Sequence, residues 1–243
     1  MKSVQKTTLL TALVAALGFS SFAFASDHDK PVATGGPSSN VAWTAEMMRF
    51  VAKGDISNGA RLNSEAYCAS CHGHAGIAPS PNWPSLAGQR AEYTFKMLKD
   101  YKEGKRAGTA HNQLMQLAVM PLSDQDMADL AKYHASFPLP TLPVGVTHDA
   151  TKAKEASKMI VRGDGSRFIA PCQSCHGSKG EGSITDIPAL AGMPPEYFIK
   201  TMQEYRDGTR KNDVYARMRL IAKDLTDAEI EAMAHYYAGM TAK

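Results

Sequence analysis

All four cysteines of this 243-residue chain sit in two copies of one pattern, Cys68-Ala-Ser-Cys71-His72 and Cys172-Gln-Ser-Cys175-His176. C-x-x-C-H is the attachment signature of c-type haem. Each thiol can add to one vinyl group of the porphyrin and form a thioether. The histidine that follows then reaches the iron as its proximal ligand. Two copies with no spare cysteine point to two covalently bound haem c groups, held through Cys68, Cys71, His72, Cys172, Cys175 and His176.

Other chemistries of paired cysteines fit less well. A thioredoxin-like redox pair would sit in a strand-rich βαβ pattern, which surrounds neither copy. A structural zinc site could take four thiolates. It would leave both histidines without a role and would have to unite pairs 104 residues apart (68 to 172). Two ordinary disulfides stay open as a reading in an oxidising compartment.

An iron that carries electrons rather than substrate needs a second axial ligand, and methionine is the common choice in cytochromes c. The chain has 13 methionines, and most would simply fill gaps in a core. An internal repeat selects between them. A shift of 104 residues places Cys68 on Cys172, Leu86-Ala87-Gly88 on Leu190-Ala191-Gly192, Tyr93 on Tyr197, Tyr101 on Tyr205 and Arg106 on Arg210. After a one-residue deletion beyond Gly208 the shift becomes 103, and Leu122-Ser123-Asp124 falls on Leu225-Thr226-Asp227. Met115 then pairs with Met218, whereas Met120 pairs with Lys223. Met115 and Met218 are therefore the expected distal ligands. Histidine is the competitor, but His111 has no histidine counterpart, and His134 pairs with Tyr237, which reads as a packing position. The free N–H of each proximal imidazole should go to a carbonyl, in the first half from loop 75–84. Trp83, Arg106 and Arg210 are candidates for contacts with haem propionates. The plainer readings are a packed ring and two solvated side chains.

The elements that position these residues follow from the same repeat. A period near 100 residues is the length of a small domain, not of a solenoid unit. We expect a first domain over 41–137, a linker over 138–146 and a second domain over 147–243. Pro138, Pro140 and Pro143 disfavour helix and make the linker stiff. Each half has helical periodicity and no convincing strand, so the expected class is all-α. One helix, with Met47, Phe50 and Val51 on a shared face, precedes the first motif. A second runs from about Ala91 to Glu103, recurs at 196–207, and ends at Gly104 or Gly208. A third opens on a capping box, Ser123 with Asp126 or Thr226 with Glu229. It should bury Met127, Leu130, Ala131 and His134, or Ile230, Met233, Ala234 and Tyr237. Domains this small bury little apolar surface alone, and a tethered porphyrin would complete each core.

Residues 1–25 read as a secretory signal peptide, with Lys2 and Lys6, an apolar run over 9–24 and Ala23-Phe24-Ala25 before the cut. The strongly apolar part is shorter than the ~20 residues of a spanning helix. Residues 26–40 read as a polar lead-in. The expected location is the periplasm, with no transmembrane segment after cleavage; peripheral membrane association is compatible with that. The formal charge is +3, from 27 basic and 24 acidic residues, which makes no electrostatic case for nucleic acid.

Two C-x-x-C-H motifs, the stretches Pro84-Ser-Leu-Ala-Gly88 and Pro188-Ala-Leu-Ala-Gly192, and a methionine ahead of each L-[ST]-D helix start together resemble the cytochrome c4 family. The resemblance covers about 41–243. It implies two tandem class I cytochrome c domains joined by the Pro-rich linker, with haem ligands at His72, Met115, His176 and Met218. It also implies a dihaem one-electron carrier of the periplasm rather than an enzyme. Its partners would be redox proteins: a donor such as a cytochrome complex or copper protein, and an acceptor such as a terminal oxidase. The alternative is an electron-transfer cytochrome subunit of a flavoprotein or sulfur-compound dehydrogenase. A dihaem peroxidase would need an open iron and normally a longer chain.

Overall fold

A computed structural model describes residues 43–143, 145–183 and 185–240. The signal peptide expected over 1–25 and the lead-in over 26–40 lie outside the described residues. Among the described residues there are eleven α-helices and no strand. A single antiparallel bridge joins Asp164 and Ile169. No helix among them is long and apolar enough to cross a membrane.

The first half contains α1 (Ala45–Ala52), α2 (Ile56–Glu65), α3 (Cys68–His72), α4 (Ala91–Lys102), α5 (Ala110–Val119) and α6 (Asp124–Ala135). The second contains α7 (Ala150–Arg162), α8 (Gln173–His176), α9 (Pro195–Arg206), α10 (Arg217–Ala222) and α11 (Asp227–Ala238). Each group has its own core. Val51, Phe95, Val119, Met127 and Leu130 anchor one, and Ile160, Phe198, Ile230, Met233 and Tyr237 the other. The tandem all-α arrangement read from the repeat is therefore what the chain adopts.

The last helix of each half forms as its local chemistry dictates. Both capping boxes are closed: the hydroxyl of Ser123 or Thr226 accepts from the backbone of Asp126 or Glu229, whose carboxylate accepts from the cap N–H. The faces expected to be buried are buried in both α6 and α11. Two helices, not the single expected one, precede the first motif. Asp55 starts the second by accepting from the N–H of Ser57 and Asn58 at 2.8 and 3.3 Å. It is α2 that lies along α6 as α7 lies along α11. Asp129, buried on α6, fastens them. It accepts from Asp55 N–H, Asn58 Nδ2 and Gln125 Nε2, each at 2.7 Å, so its burial is compensated by hydrogen bonds.

The Leu-Ala-Gly repeat turns out to seat the linker. Gly88 and Gly192 have positive φ, 67° and 70°, and their N–H groups donate to the carbonyls of His134 and Tyr237 on the last helices. A Cβ at Gly88 would strike Pro138 and Leu139, and one at Gly192 would strike Pro140. The missing side chain is what lets the linker backbone come so close in each half. The halves also touch directly. Gln89 donates through Nε2 to the Ala189 carbonyl at 3.1 Å and accepts from the Ala189 N–H at 2.8 Å. Lys96 pairs with Asp100 on α4 and donates to the Asn212 carbonyl at 2.6 Å.

Candidate functional site

Each C-x-x-C-H motif folds as one short helical turn, α3 or α8, ended by a glycine (Gly73, Gly177). The turn buries its histidine: His72 is 6% exposed and His176 7%. Nδ1 of His72 lies 2.9 Å from the carbonyl oxygen of Pro84, and Nδ1 of His176 lies 2.9 Å from that of Pro188. A carbonyl only accepts, so each Nδ1 carries the proton. Nε2 is then the free base, and in His72 it is buried with no partner. Burial holds both imidazoles below the usual histidine range. A neutral ring with a bare, oriented Nε2 is what a metal-ligating histidine must be.

All four cysteines are free thiols, so neither motif closes on itself as a disulfide. Burial pushes the Cys68 thiol up, and that of Cys172 up to about 11.

A cleft opens in front of each motif. The one in the second half has about 1230 Å³ of empty space counted to its mouth, and Cys172, Cys175, His176 and Met218 all line it. The one in the first half has about 1170 Å³, lined by His72 and Met115. Cys68 and Cys71 are not in that lining; Cys68 packs at the edge of the first core. Helices that the sequence reading did not anticipate carry the two methionines. Thr109 caps α5, which bears Met115. In the second half two left-handed residues, Tyr215 and Ala216, precede the shorter α10, which bears Met218.

Two further methionines border both clefts, Met97 and Met193. The Met97 sulfur accepts from Arg106 at 3.4 Å, from Arg210 at 3.3 Å and from Asn212 at 3.4 Å, so its lone pairs are engaged. Met120 is half exposed and Met127 fully buried in the core. Neither lines a cleft.

Arg106 and Arg210 are not solvated: they are 6% and 3% exposed. Arg106 lines the first cleft and Arg210 the second. Trp83 lines the first cleft and meets His111 edge-on at 5.0 Å. Sequence reasoning missed the wall the two clefts share, to which Tyr93, Tyr197 and Thr201 contribute. The repeat pairs Tyr93 with Tyr197, but nothing local says that they face each other's domain.

The donors fit a tethered haem. Each cleft offers a neutral imidazole nitrogen, a thioether sulfur and an apolar wall, with two free thiols on the adjoining turn. Comparison with known proteins agrees. A family model for cytochrome c matches residues 56–136 and 163–240. Cytochrome c4 of Stutzerimonas stutzeri is 35% identical over 182 residues, covering 72% of this chain and 85% of that protein. A thiosulfate dehydrogenase electron acceptor of Stutzerimonas stutzeri (strain A1501) is 34% identical over 177 residues, covering 72% of this chain and 80% of that protein. The solved structure of reduced recombinant cytochrome c4 from Pseudomonas stutzeri has a TM-score of 0.69 at 31% identity, over 77% of this chain and all (100%) of the other.

Proposed function

Since this chain belongs to the cytochrome c4 family of dihaem electron carriers, we propose that it shuttles single electrons in the periplasm between redox proteins, and is not itself an enzyme. When bound, each haem supplies a one-electron Fe(III)/Fe(II) couple. We assign the tethers to Cys68 and Cys71 in the first half and to Cys172 and Cys175 in the second. We assign the residues that would ligate the iron to His72 with Met115 and to His176 with Met218.

The protein residues then have distinct tasks. The thiols would hold the ring in place. The Pro84 and Pro188 carbonyls fix the imidazole tautomers, so that Nε2 would be the nitrogen free to take the metal. Met115 and Met218, which line the same clefts, would supply the second protein ligand of each iron and leave no open position for a substrate. Apolar walls keep water away and favour the less charged, reduced state. The observation that carries this reading is that the same histidine–carbonyl pair recurs in both halves, each on a cleft shared with the methionine its repeat selects. Mass spectrometry of the purified protein tests it. The expected mass is that of the chain after signal cleavage plus two haems, and the mass of the bare cleaved polypeptide would refute it.

The donor is open to a second reading. Similarity to a thiosulfate dehydrogenase electron acceptor supports a role in accepting electrons from a sulfur-compound dehydrogenase, with a terminal oxidase downstream. Stopped-flow reduction by such an enzyme, compared with reduction by a quinol-oxidising cytochrome complex, would separate the two donors.

A further inference from the structure

Two guanidinium groups are buried where the halves meet, and both are held by neutral partners. Arg106 lies over the Tyr101 ring at 4.7 Å and donates to the Tyr197 hydroxyl at 3.1 Å. Arg210 lies over the Tyr205 ring at 4.5 Å and donates to the Tyr93 hydroxyl at 3.1 Å. Each arginine thus stacks on a tyrosine of its own half and reaches a tyrosine of the other. Both also donate to the Met97 sulfur. Nε of Arg106 is buried with no partner, and Nε of Arg210 donates to Asn212 Oδ1 at 3.0 Å. Among the described residues neither forms a salt bridge, and the nearby Asp100 is taken by Lys96 and Asn212.

The placement gives these cations a reach beyond their own cleft. Arg106 lines the first cleft and Arg210 the second, while Tyr93, Tyr197 and Met97 line both. Arginine keeps its charge at any working pH. A buried charge acts through a low dielectric and is poorly screened by salt. Adding an electron lowers the charge of a metal site by one, so a neighbouring cation favours reduction. Burial pushes the Tyr197 hydroxyl up, yet the two guanidiniums beside it outweigh that and hold it below the usual phenol value, so both cations are felt at one point of the shared wall.

We propose that Arg106 and Arg210, clasped crosswise on Tyr197 and Tyr93, are positioning residues that tie the reduction potentials of the two clefts together. This rests on reading both clefts as haem sites. It goes beyond that reading by assigning to four named side chains the link between the sites.

Optical redox titration of the intact dihaem protein tests it. The unsubstituted protein should show two one-electron steps; their absence would remove the haem reading itself. Arg106→Gln should lower both midpoints, and Arg210→Gln should do the same. Raised ionic strength should leave these shifts in place. Arg106→Lys keeps the charge without the planar fork and should return both midpoints part of the way. Tyr197→Phe preserves the packed ring, guards against loss of fold, and should lower both midpoints by a smaller shift. An arginine substitution that moves one midpoint alone, or neither, would overturn the coupling while leaving the haem reading intact.

Discussion

Nδ1 of His72 and the carbonyl oxygen of Pro84 stand 2.9 Å apart, and the repeat reproduces the pair at His176 and Pro188 with the same spacing of 12 residues. Each proline carbonyl fixes the tautomer of a buried ring. The free nitrogen of each ring is thereby set before any metal arrives. The opposite side of each cleft then decides whether the site carries electrons or binds small molecules.

Met115→Ala is expected to open one of the two irons. On reduction that site should bind carbon monoxide rapidly, and half of the weak near-infrared band of the oxidised protein should vanish. Met218→Ala should do the same to the other half. The CO difference spectrum checks it. Unchanged CO uptake in Met218→Ala would move the assignment to another cleft methionine, with Met193 first in line.

The double variant Cys172→Ser, Cys175→Ser should lose one porphyrin and keep the other. The intact mass should fall by about one tetrapyrrole relative to the parent. Without the tethered ring the second half loses the filling of its cleft, so its α11 amides should exchange hydrogen faster than those of α6. Retention of two porphyrins would refute thioether attachment at this motif.

Glu229 makes the acid stability of the second half testable. Hydrogen bonds from Arg167 at 2.6 and 3.1 Å hold its carboxyl at about 2, below an ordinary value of 4.5. The same carboxylate closes the α11 capping box. A carboxyl depressed in the fold stabilises it fully above the unfolded value. That stability should therefore be intact above pH 4.5 and drain away as pH falls toward 2. Glu229→Gln should flatten the slope of unfolding free energy across this window. An unchanged slope would show that the pair does not act in this way.

Gly192→Ala and Gly208→Ala separate backbone strain from collision. Both glycines have positive φ, 70° and 77°. A Cβ at Gly208 meets nothing within 4 Å, whereas one at Gly192 runs into Pro140. Gly208→Ala should destabilise by about 1–2 kcal/mol, the cost of a left-handed alanine. Gly192→Ala should cost clearly more and loosen the linker. Denaturant unfolding of both variants checks the order.

Much of the site was legible because it depends on neighbours in the chain. Thiol spacing, the adjoining histidine, the two capping boxes and the pairing of Met115 with Met218 are all properties of short segments or of their repetition. The break at Asp55 that starts α2 was also local: an aspartate accepting from the residues two and three along is a cap signal, and it was masked by the apolar spacing just ahead of it. The helix under Met115 carries a similar signal in Thr109. In the second half, the left-handed pair ahead of α10 is not a preference of tyrosine or alanine, so only the surrounding packing can hold it.

Arg106 and Arg210 mark the limit of what the sequence decides. By type they belong in water, and it is the plainer reading of each, a solvated side chain, that their burial overturns. The tyrosine hydroxyls they donate to lie 91 and 117 residues away. The sequence by itself determined the spacing of thiols and histidine in each motif and the pairing of Met115 with Met218, because these are set by covalent order and by its repetition. Only the tertiary structure decided that the two clefts share a wall and that each arginine crosses it. The burial of a charge depends on what the distant chain places around it, and no local preference encodes that.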